Sequence, residues 1–426
     1  MSREKDNIEV FLNGRKYVDF LSVSVNHSLE ALTADFNMSM YFNVPESGFS
    51  FPAGTMVQIK CNSTPVFTGF VENINASISS DSYTMDLSGR GIACDFIDST
   101  VGAKGNIKTP ISLKQIVRNL LDSLGMTYIK VIDRLNVEPF NSADAIQSNP
   151  TDTAYGVAER YAKKRQVFLM TDGNGDIIID RPNDNPYQYI GRIREDGFTE
   201  VFPEGETFIP VIRIEADGYN RNSVIQATVS LSNGGRFNTY RSRNQYNPMT
   251  EQNRTKDLQG SVPGVNYTVL DNEVRATRVL DVVFDSVNLA EDTKKHLKWE
   301  KSFRNANSEV YTCTLPNWSP EETAQPWKIN SLVDVEDDLL GVYDTLLIGS
   351  VQFSMTESQI ETNLVLKPAD AYEVDIPKSK VKKTKKDRVK KTRRKKSTTA
   401  KIQQGLDPEI LAIFDRVATT VALQNR

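Results

Sequence analysis

Ser331-Leu332-Val333-Asp334-Val335, then Leu346-Leu347-Ile348-Gly349-Ser350-Val351, then Thr362 to Leu366 form a series with a counterpart near the start of the chain. The earlier series is Met56 to Lys60, Phe67-Thr68-Gly69-Phe70-Val71, and Tyr83 to Leu87. The glycine and the leucine, Gly69 and Leu87 or Gly349 and Leu366, lie 18 positions apart in the early series and 17 in the late one. Each run is short and rich in β-branched or aromatic residues, which reads as a strand. Two small β-domains can look alike by composition alone. The sharper reading is an internal duplication of one barrel.

Working outward, the first hundred residues read as further strands. Ile8, Val10 and Leu12 alternate, Asn13-Gly14 supplies a two-residue hairpin turn, and Tyr17 and Val18 continue beyond it. Phe36, Met38, Met40 and Phe42 alternate strictly, the pattern of a half-buried strand. Six or so such strands indicate a small barrel or sandwich.

At Ile111 the period changes. Ser112 and Gln115 form a capping-box pattern, and Leu113, Ile116, Val117, Leu120, Leu121 and Leu124 recur at helical spacing up to Gly125. A second helix is expected from Thr153, with Ala154, Val157, Ala158, Tyr161 and Ala162 on one face. A hairpin then runs from Val167 to Met170 and from Ile177 to Ile179, and a further helix is expected near Glu291 to Arg304.

The chain has 426 residues, enough for two to four domains, with 39% hydrophobic and 25% charged residues. No apolar run approaches the ~20 residues of a membrane span. Met1 to Asp6 lacks the apolar stretch of a secretory signal. Cys61, Cys94 and Cys313 form no paired spacing and read as small buried hydrophobes, and the two histidines, His27 and His296, have no ligand-like neighbours. The net charge of −4 conceals a split: residues 378–401 hold fourteen Lys/Arg and one acid, Asp387, so the remainder carries −17.

Three motifs invite chemistry and do not carry it. Asp172, Asn174 and Asp176 match the start of a calcium loop, but Ile177 and Asn183 stand where its glycine and glutamate belong. Gly89-Arg90-Gly91 begins like a dinucleotide fingerprint, but it follows a run of strands and Cys94 replaces the third glycine. The acids Asp334, Glu336, Asp337 and Asp338 read as a solvated turn at a strand end. No catalytic, cofactor-binding or metal-ligating residue is assigned, and no cofactor is expected.

Ser88-Gly89-Arg90-Gly91-Ile92-Ala93-Cys94-Asp95-Phe96-Ile97-Asp98-Ser99, the helix at Leu113 to Val117, residues 153–165 (TAYGVAERYAKKR), the hairpin beginning at Val167 and residues 177–182 (IIIDRP) together resemble Mu-like phage tail hub proteins. Gly91 stands where that family commonly has an aspartate. The resemblance implies a mainly β fold with α+β insertions, two tube-like β-barrels per chain, related to the N-terminal part of type VI secretion spike proteins. It divides the chain into a first barrel (1–97), an α+β inserted domain (98–200) and a second barrel with insertions (201–376); the chain departs from the family after Pro377, where the charge run reads as a disordered basic linker (377–402) and the spacing beyond it as a C-terminal amphipathic helix (403–426). The implied role is a structural, non-enzymatic baseplate hub of a contractile tail. It would be a homotrimer adapting a sixfold tail tube to a threefold central spike. The tape measure protein and other baseplate subunits are further partners, DNA passes through without specific binding, and the chain inserts into no membrane. The location implied is the virion, after synthesis in the host bacterial cytoplasm. An acidic body would suit a channel for DNA.

The candidate partner-binding residues lie after the second barrel. Lys382, Lys383, Lys385, Lys386, Arg393 and Arg394 are expected to bind an acidic protein surface or nucleic acid by charge. Ile410, Phe414, Val417 and Val421 share one face of a helix that Asp407, Pro408 and Glu409 would start, and are expected to dock on another tail protein. Only about 25 residues follow the basic run, so no fused spike or lysozyme domain is expected. A type VI spike component, a nucleic-acid-binding protein acting through the basic segment, and a tail-associated hydrolase are the competing readings.

Overall fold

The computed structural model describes residues 6–368, apart from 19, 42–51, 79–82, 103–106, 142–145, 147, 182–186, 189–191, 194–198, 201–206, 217–223, 245–266, 285–289 and 321–324. Phe42 and all six basic and four apolar candidates beyond Pro377 lie outside the described residues.

The N-terminal strands are β1 (Ile8–Leu12), β2 (Arg15–Tyr17), β3 (Phe20–Ser28), β4 (Asp35–Tyr41), β5 (Met56–Cys61), β6 (Thr64–Ile78) and β7 (Tyr83–Gly91). Asn13 and Gly14 both have positive φ (48° and 78°), so the β1–β2 turn is the primed type that matches strand twist. Helix α1 (Cys94–Asp98) leads into an α+β unit of α2 (Leu113–Ser123), β8 (Val131–Asp133), α3 (Ala154–Arg165), β9 (Phe168–Thr171) and β10 (Ile177–Asp180). Short pairs β11 (Tyr187–Gln188) with β14 (Thr207–Phe208), and β12 (Arg192–Ile193) with β13 (Thr199–Glu200), follow.

Strands β15 (Val211–Ile214) and β16 (Gln226–Leu231) reopen the main sheet. A small unit of β17 (Thr239–Asn244), β18 (Thr268–Leu270), β19 (Val279–Phe284) and α4 (Ala290–Ala306) is inserted next. The chain then supplies β20 (Glu309–Pro316), β21 (Leu332–Asp337), β22 (Val342–Thr356) and β23 (Ile360–Pro368).

The expected class, mainly β with α+β insertions, is what the structure shows. The two tube-like units are two halves of one 13-stranded sheet, ordered β16-β20-β23-β22-β3-β4-β7-β6-β5-β1-β2, with β21 beside β22 and β15 beside β21. Six strands repeat in chain order: β1, β3, β4, β5, β6, β7 correspond to β15, β16, β20, β21, β22, β23. Each half pairs them in the same neighbour sequence, except that β1–β5 is antiparallel and β15–β21 parallel. The long strands match at 15 residues each and the last strands at 9.

The register of the repeat differs from the sequence alignment by two residues. Thr64 opens β6 opposite Cys61, and Val342 opens β22 opposite Asp337. Gly69 is therefore the sixth residue of its strand and Gly349 the eighth of its own. Counted instead from the bulges, at Glu72 in β6 and Gly349 in β22, Gly69 corresponds to Leu346, so the two glycines are not equivalent on either count. Leu87 then corresponds to Leu364, since each pairs with the second residue past its bulge, Ile74 and Val351.

The halves meet where the outer part of β22 pairs with β3, from Ser350↔Ser28 to Thr356↔Ser22. One hydrophobic core serves both: Val25, Phe36, Phe67 and Leu87 from the first half join Trp318, Val333, Phe353 and Leu364 from the second. The α+β unit has its own core. Leu113, Ile116, Val117, Leu120 and Leu121 of α2 and Ala154, Val157, Ala158, Tyr161 and Ala162 of α3 are buried as their spacing predicts. Ser112 Oγ accepts from the Gln115 N–H and Thr153 Oγ1 from the Gly156 N–H, capping the two helices. The Gln115 side chain bonds Asn119 instead of reaching back, so half of the expected capping box forms. Gly125 takes the left-handed conformation (φ 79°) that ends α2.

Candidate functional site

Strand alternation sends one set of side chains into the shared core and the other to the opposite face. Across eight adjacent strands that opposite face is rich in uncharged polar residues, interrupted by Val310 and Pro316 of β20, Glu361 and Val365 of β23 and Arg90 of β7. Ser22, Ser24 and Asn26 come from β3, Asn37 and Ser39 from β4, Ser88 from β7, Asn73, Asn75 and Ser77 from β6. The second half continues it with Ser350, Gln352 and Ser354 of β22, Asn363 of β23, Thr312 and Thr314 of β20, and Thr228 and Ser230 of β16. A shallow groove of about 300 Å³ runs over this wall, lined by Ser22, Ser24, Asn37, Ser39, Asn75, Ser88, Ser354 and Thr356. Acids punctuate it sparsely: Asp86 accepts a hydrogen bond from Ser39 Oγ, and Asp35 one from Asn26 Nδ2 at 3.3 Å. The wall is hydrophilic more than acidic, so the acidity of the whole chain is not concentrated on it.

Arg90 is the charged anchor beside the wall. Its Nε and Nη2 donate to Glu72 at 2.9 and 2.7 Å, and its Nη1 and Nη2 to Asp98 at 3.2 and 2.6 Å. These hydrogen bonds hold the Asp98 carboxyl below the usual carboxylate range and raise the guanidinium. Glu72 is the bulge residue of β6 and Asp98 ends α1, so the guanidinium ties the sheet to the α+β unit. The flanking glycines answer to packing. A Cβ on Gly89 would lie 1.8 Å from the Phe70 carbonyl oxygen, and one on Gly91 2.3 Å from Thr33 Oγ1. The fingerprint-like run is thus a strand end with an arginine clamp.

The Asp172 loop is likewise a turn. Asp172 Oδ1 accepts the N–H groups of Asn174 and Asp176 at 2.9 and 3.0 Å, and Gly175 has φ 85°. The turn seats on the β5–β6 hairpin: Thr68 Oγ1 donates to the Gly173 carbonyl at 2.9 Å, and a Cβ on Gly173 would lie 2.0 Å from the Pro65 oxygen. All three cysteines are buried, and burial pushes the Cys94 thiol up to about 11 and Cys313 higher still. His27 contacts the Val66 carbonyl through Nε2 at 2.7 Å and burial holds its pKa below the ordinary value. His296 packs on Trp299 and burial pushes it down to about 4. Burial disfavours the charged form of each histidine.

The ten candidate residues of the C-terminal segments lie outside the described residues. Reading the sequence missed the wall itself. Its signal was present as Ser-x-Ser-x-Asn from residue 22 and Ser-x-Gln-x-Ser from residue 350. It also missed β6 beyond Val71, where Asn73 to Ile78 pair only with β7 among the described residues.

Residues 7–91 match the family model described as Mu phage baseplate assembly protein GpP-like, N-terminal, and residues 93–181 match baseplate hub protein gp44-like, second domain. The chain is 21% identical over 373 residues to the baseplate hub protein gp44 of Escherichia phage Mu, covering 85% of this chain and 88% of that one. Its fold is similar to the 43 kDa tail protein of prophage MuSo2 from Shewanella oneidensis, with TM-score 0.67, 23% identity, and 86% and 100% of the two chains covered. It is also similar to a tail protein from Neisseria meningitidis MC58, with TM-score 0.66, 14% identity, and 87% and 98% covered.

Proposed function

We infer that this chain, whose first two domains are those of Mu-type baseplate hub proteins, is the structural baseplate hub of a contractile phage tail. One observation carries the reading furthest: a chain with these two domains repeats a six-strand half-sheet within itself and joins the repeats edge to edge. Three such chains would present six equivalent half-sheets to a sixfold tail tube while keeping threefold symmetry for a central spike. In this reading the protein is a homotrimeric adaptor of the virion and its work is mechanical. The Ser/Thr/Asn/Gln wall lines the channel, where hydroxyls and amides stay hydrated and the cations of the same face, Arg90 and Lys367, are held in ion pairs with Glu72, Asp98 and Glu30. The domain limits at 97, 200 and 376 are part of the same proposal.

Tail tube protein, spike, tape measure protein and other baseplate subunits are the partners in this proposal. Lys382, Lys383, Lys385, Lys386, Arg393 and Arg394 would hold an acidic surface or nucleic acid by charge. Ile410, Phe414, Val417 and Val421 would form the docking face, so Phe414→Asp should leave the purified hub folded and abolish complete tails. The reading is tested by immunogold labelling of intact particles with antibody against this chain. Label at the tail end distal to the head is expected; label along the tube or on the capsid would refute it.

A further inference from the structure

Three polar side chains from three distant segments close a triangle beside the joint between the two halves. Lys367 Nζ donates to Glu30 Oε1 at 2.6 Å and to Asn307 Oδ1 at 2.7 Å, and Asn307 Nδ2 donates to the same Glu30 oxygen at 3.2 Å. The fold positions each arm. Lys367 lies near the end of β23, and its stem crosses the bulge of β22, where a Cβ on Gly349 would lie 3.1 Å from Lys367 Cδ and Cε. Glu30 sits in the turn after β3, fixed by the Leu29 N–H on the Gly349 carbonyl at 2.8 Å and by its own N–H on Ser28 Oγ at 3.2 Å. Asn307 follows α4 directly, and its neighbour Ser308 donates its N–H to the Asn305 carbonyl and accepts the Ser232 N–H. The lysine side chain is 8% exposed and the glutamate side chain 36%, while Asn307 is open to solvent.

The contacts match the demands of one reaction. A lysine amine can attack a side-chain carboxamide when a carboxyl group shuttles protons between the nucleophile and the leaving group. Glu30 Oε1 touches both, the Nζ that must lose protons and the Nδ2 that must gain one. Nζ already rests on Oδ1, one C=O bond of about 1.2 Å away from the carbon it would attack. We propose that Lys367 and Asn307 are the site of an intramolecular isopeptide bond that forms after folding, with Glu30 as its proton shuttle. Glu30 takes a proton from the lysine ammonium, the freed amine adds to Asn307 Cγ, and Glu30 returns the proton to Nδ2. The Nζ–Cγ bond forms and the Cγ–Nδ2 bond breaks. The lysine gives up two protons in all: one completes ammonia and the second leaves with it as ammonium. Glu30 ends as a carboxylate, and nothing is oxidised or reduced. The buried lysine stem keeps water from the attacking nitrogen, and the open side of Asn307 lets the ammonia out.

The duplication supplies an internal comparison. Since Leu87 corresponds to Leu364, Arg90 corresponds to Lys367 on the last strand of each half. Arg90 is clamped by two carboxylates, Glu72 and Asp98, and a guanidinium keeps its proton in proteins, so the first half holds this position by charge alone. The second half places a lysine, one carboxylate and one carboxamide at the same point, the set that a covalent bond requires. Tyr311 pairs with Leu366, so Asn307 and Lys367 stand at adjacent ends of β20 and β23. The bond would staple the start of β20 to the end of β23, closing a loop across 60 positions that contains β21 and β22. It would also remove the positive charge of Lys367 from the polar face. This chemistry does not depend on the hub reading.

The test is the intact mass of the purified full chain after prolonged incubation at mildly alkaline pH. Wild type should fall short of its sequence mass by one ammonia, and Lys367→Met and Asn307→Ala should keep their full mass. Glu30→Gln, with a near-ultraviolet spectrum like that of wild type, should lose ammonia roughly a hundredfold more slowly, the low end of what a positioned acid–base group contributes. Protease digestion of wild type should yield a branched peptide whose fragment ions join Lys367 to Asn307. That product separates the bond from cyclisation of an asparagine, which also releases ammonia but leaves Lys367 free. On a denaturing gel the looped chain should run ahead of Asn307→Ala. The branched peptide is read on wild type alone, so a variant that fails to fold does not decide the matter. A wild-type chain at full sequence mass, or one whose Lys367 is recovered unlinked, overturns the bond and leaves the triangle a salt bridge. Equal rates in Glu30→Gln and wild type overturn the shuttle. Neither result touches the hub reading, which labelling of particles decides separately.

Discussion

Asp6 ties the start of the first half to the second half, and removing its carboxylate should loosen that latch measurably. The side chain is 9% exposed. It accepts the backbone N–H of Trp318 at 2.7 Å, that of Ser319 at 2.9 Å, Ser319 Oγ at 2.7 Å and Asn62 Nδ2 at 2.8 Å. Trp318 is fully buried, 5.0 Å from the Phe353 ring, and its Nε1 donates to the Ser354 carbonyl at 2.9 Å. In Asp6→Ala the serine hydroxyl can turn to another acceptor, but the two main-chain N–H groups stay buried and fixed. Each unsatisfied donor costs about 1–3 kcal/mol, so the local destabilisation is about 4 kcal/mol. At 1.36 kcal/mol per tenfold this is a rise of roughly a thousandfold in local opening. Amide hydrogen exchange reads it directly, because opening can be followed at Trp318 and Ser319 and compared with Val157 in the separate core of the α+β unit. Exchange at Trp318 and Ser319 should accelerate by about that factor while Val157 keeps its protection, and Asp6→Asn should fall between. If both amides in Asp6→Ala exchange within about threefold of wild type, the carboxylate is not what holds the halves together there.

In the inserted unit, Arg236 pairs with Asp271 at 2.8 Å, with side chains 10% and 3% exposed, and Lys301 stands 4.0 Å from the same carboxylate. Arg236→Met should cost about 3–5 kcal/mol by leaving a buried charge short of its partner, and adding Asp271→Leu should recover most of it. Proteolysis within residues 233–306 measures both, and equal resistance of single and double variants would contradict the pair's role. Burial lowers the pKa of both histidines, His296 to about 4, so the unfolded chain takes up protons first. Stability should therefore decline as pH falls from about 6.5 towards 4, and His296→Gln should flatten part of that decline in urea midpoints. Parallel curves for the two proteins would refute it. Gly89→Ala puts a methyl 1.8 Å from the Phe70 oxygen and should break the β6–β7 ladder, seen as insoluble protein or a collapsed thermal transition. A soluble variant with a wild-type midpoint would show that the strands can part there.

What the sequence determined by itself is what depends on neighbours a few residues away. The buried faces of α2 and α3 were legible residue by residue, because helical period is local and a cap needs a hydroxyl only three residues from its N–H. The strands β1 and β4 were legible from alternation, β5 and β7 as strand-like runs, and the Asn13-Gly14 turn from the two positive φ angles it requires. The duplication was legible as a series of strands but not in register. Bulges at Glu72 and Gly349 decide the register, and a bulge is set by the partner strand rather than by its own residues. The candidate residues read beyond Pro377 came from charge and helical spacing. The wall and its edges came from pairing between residues more than 320 positions apart, such as Ser28 with Ser350. A strand reads the same whether its second edge is covered or bare, because alternation records which face is buried and carries no mark of which neighbour, if any, lies alongside. Only the tertiary order of strands shows that the two halves join inside the chain, through β3 and β22.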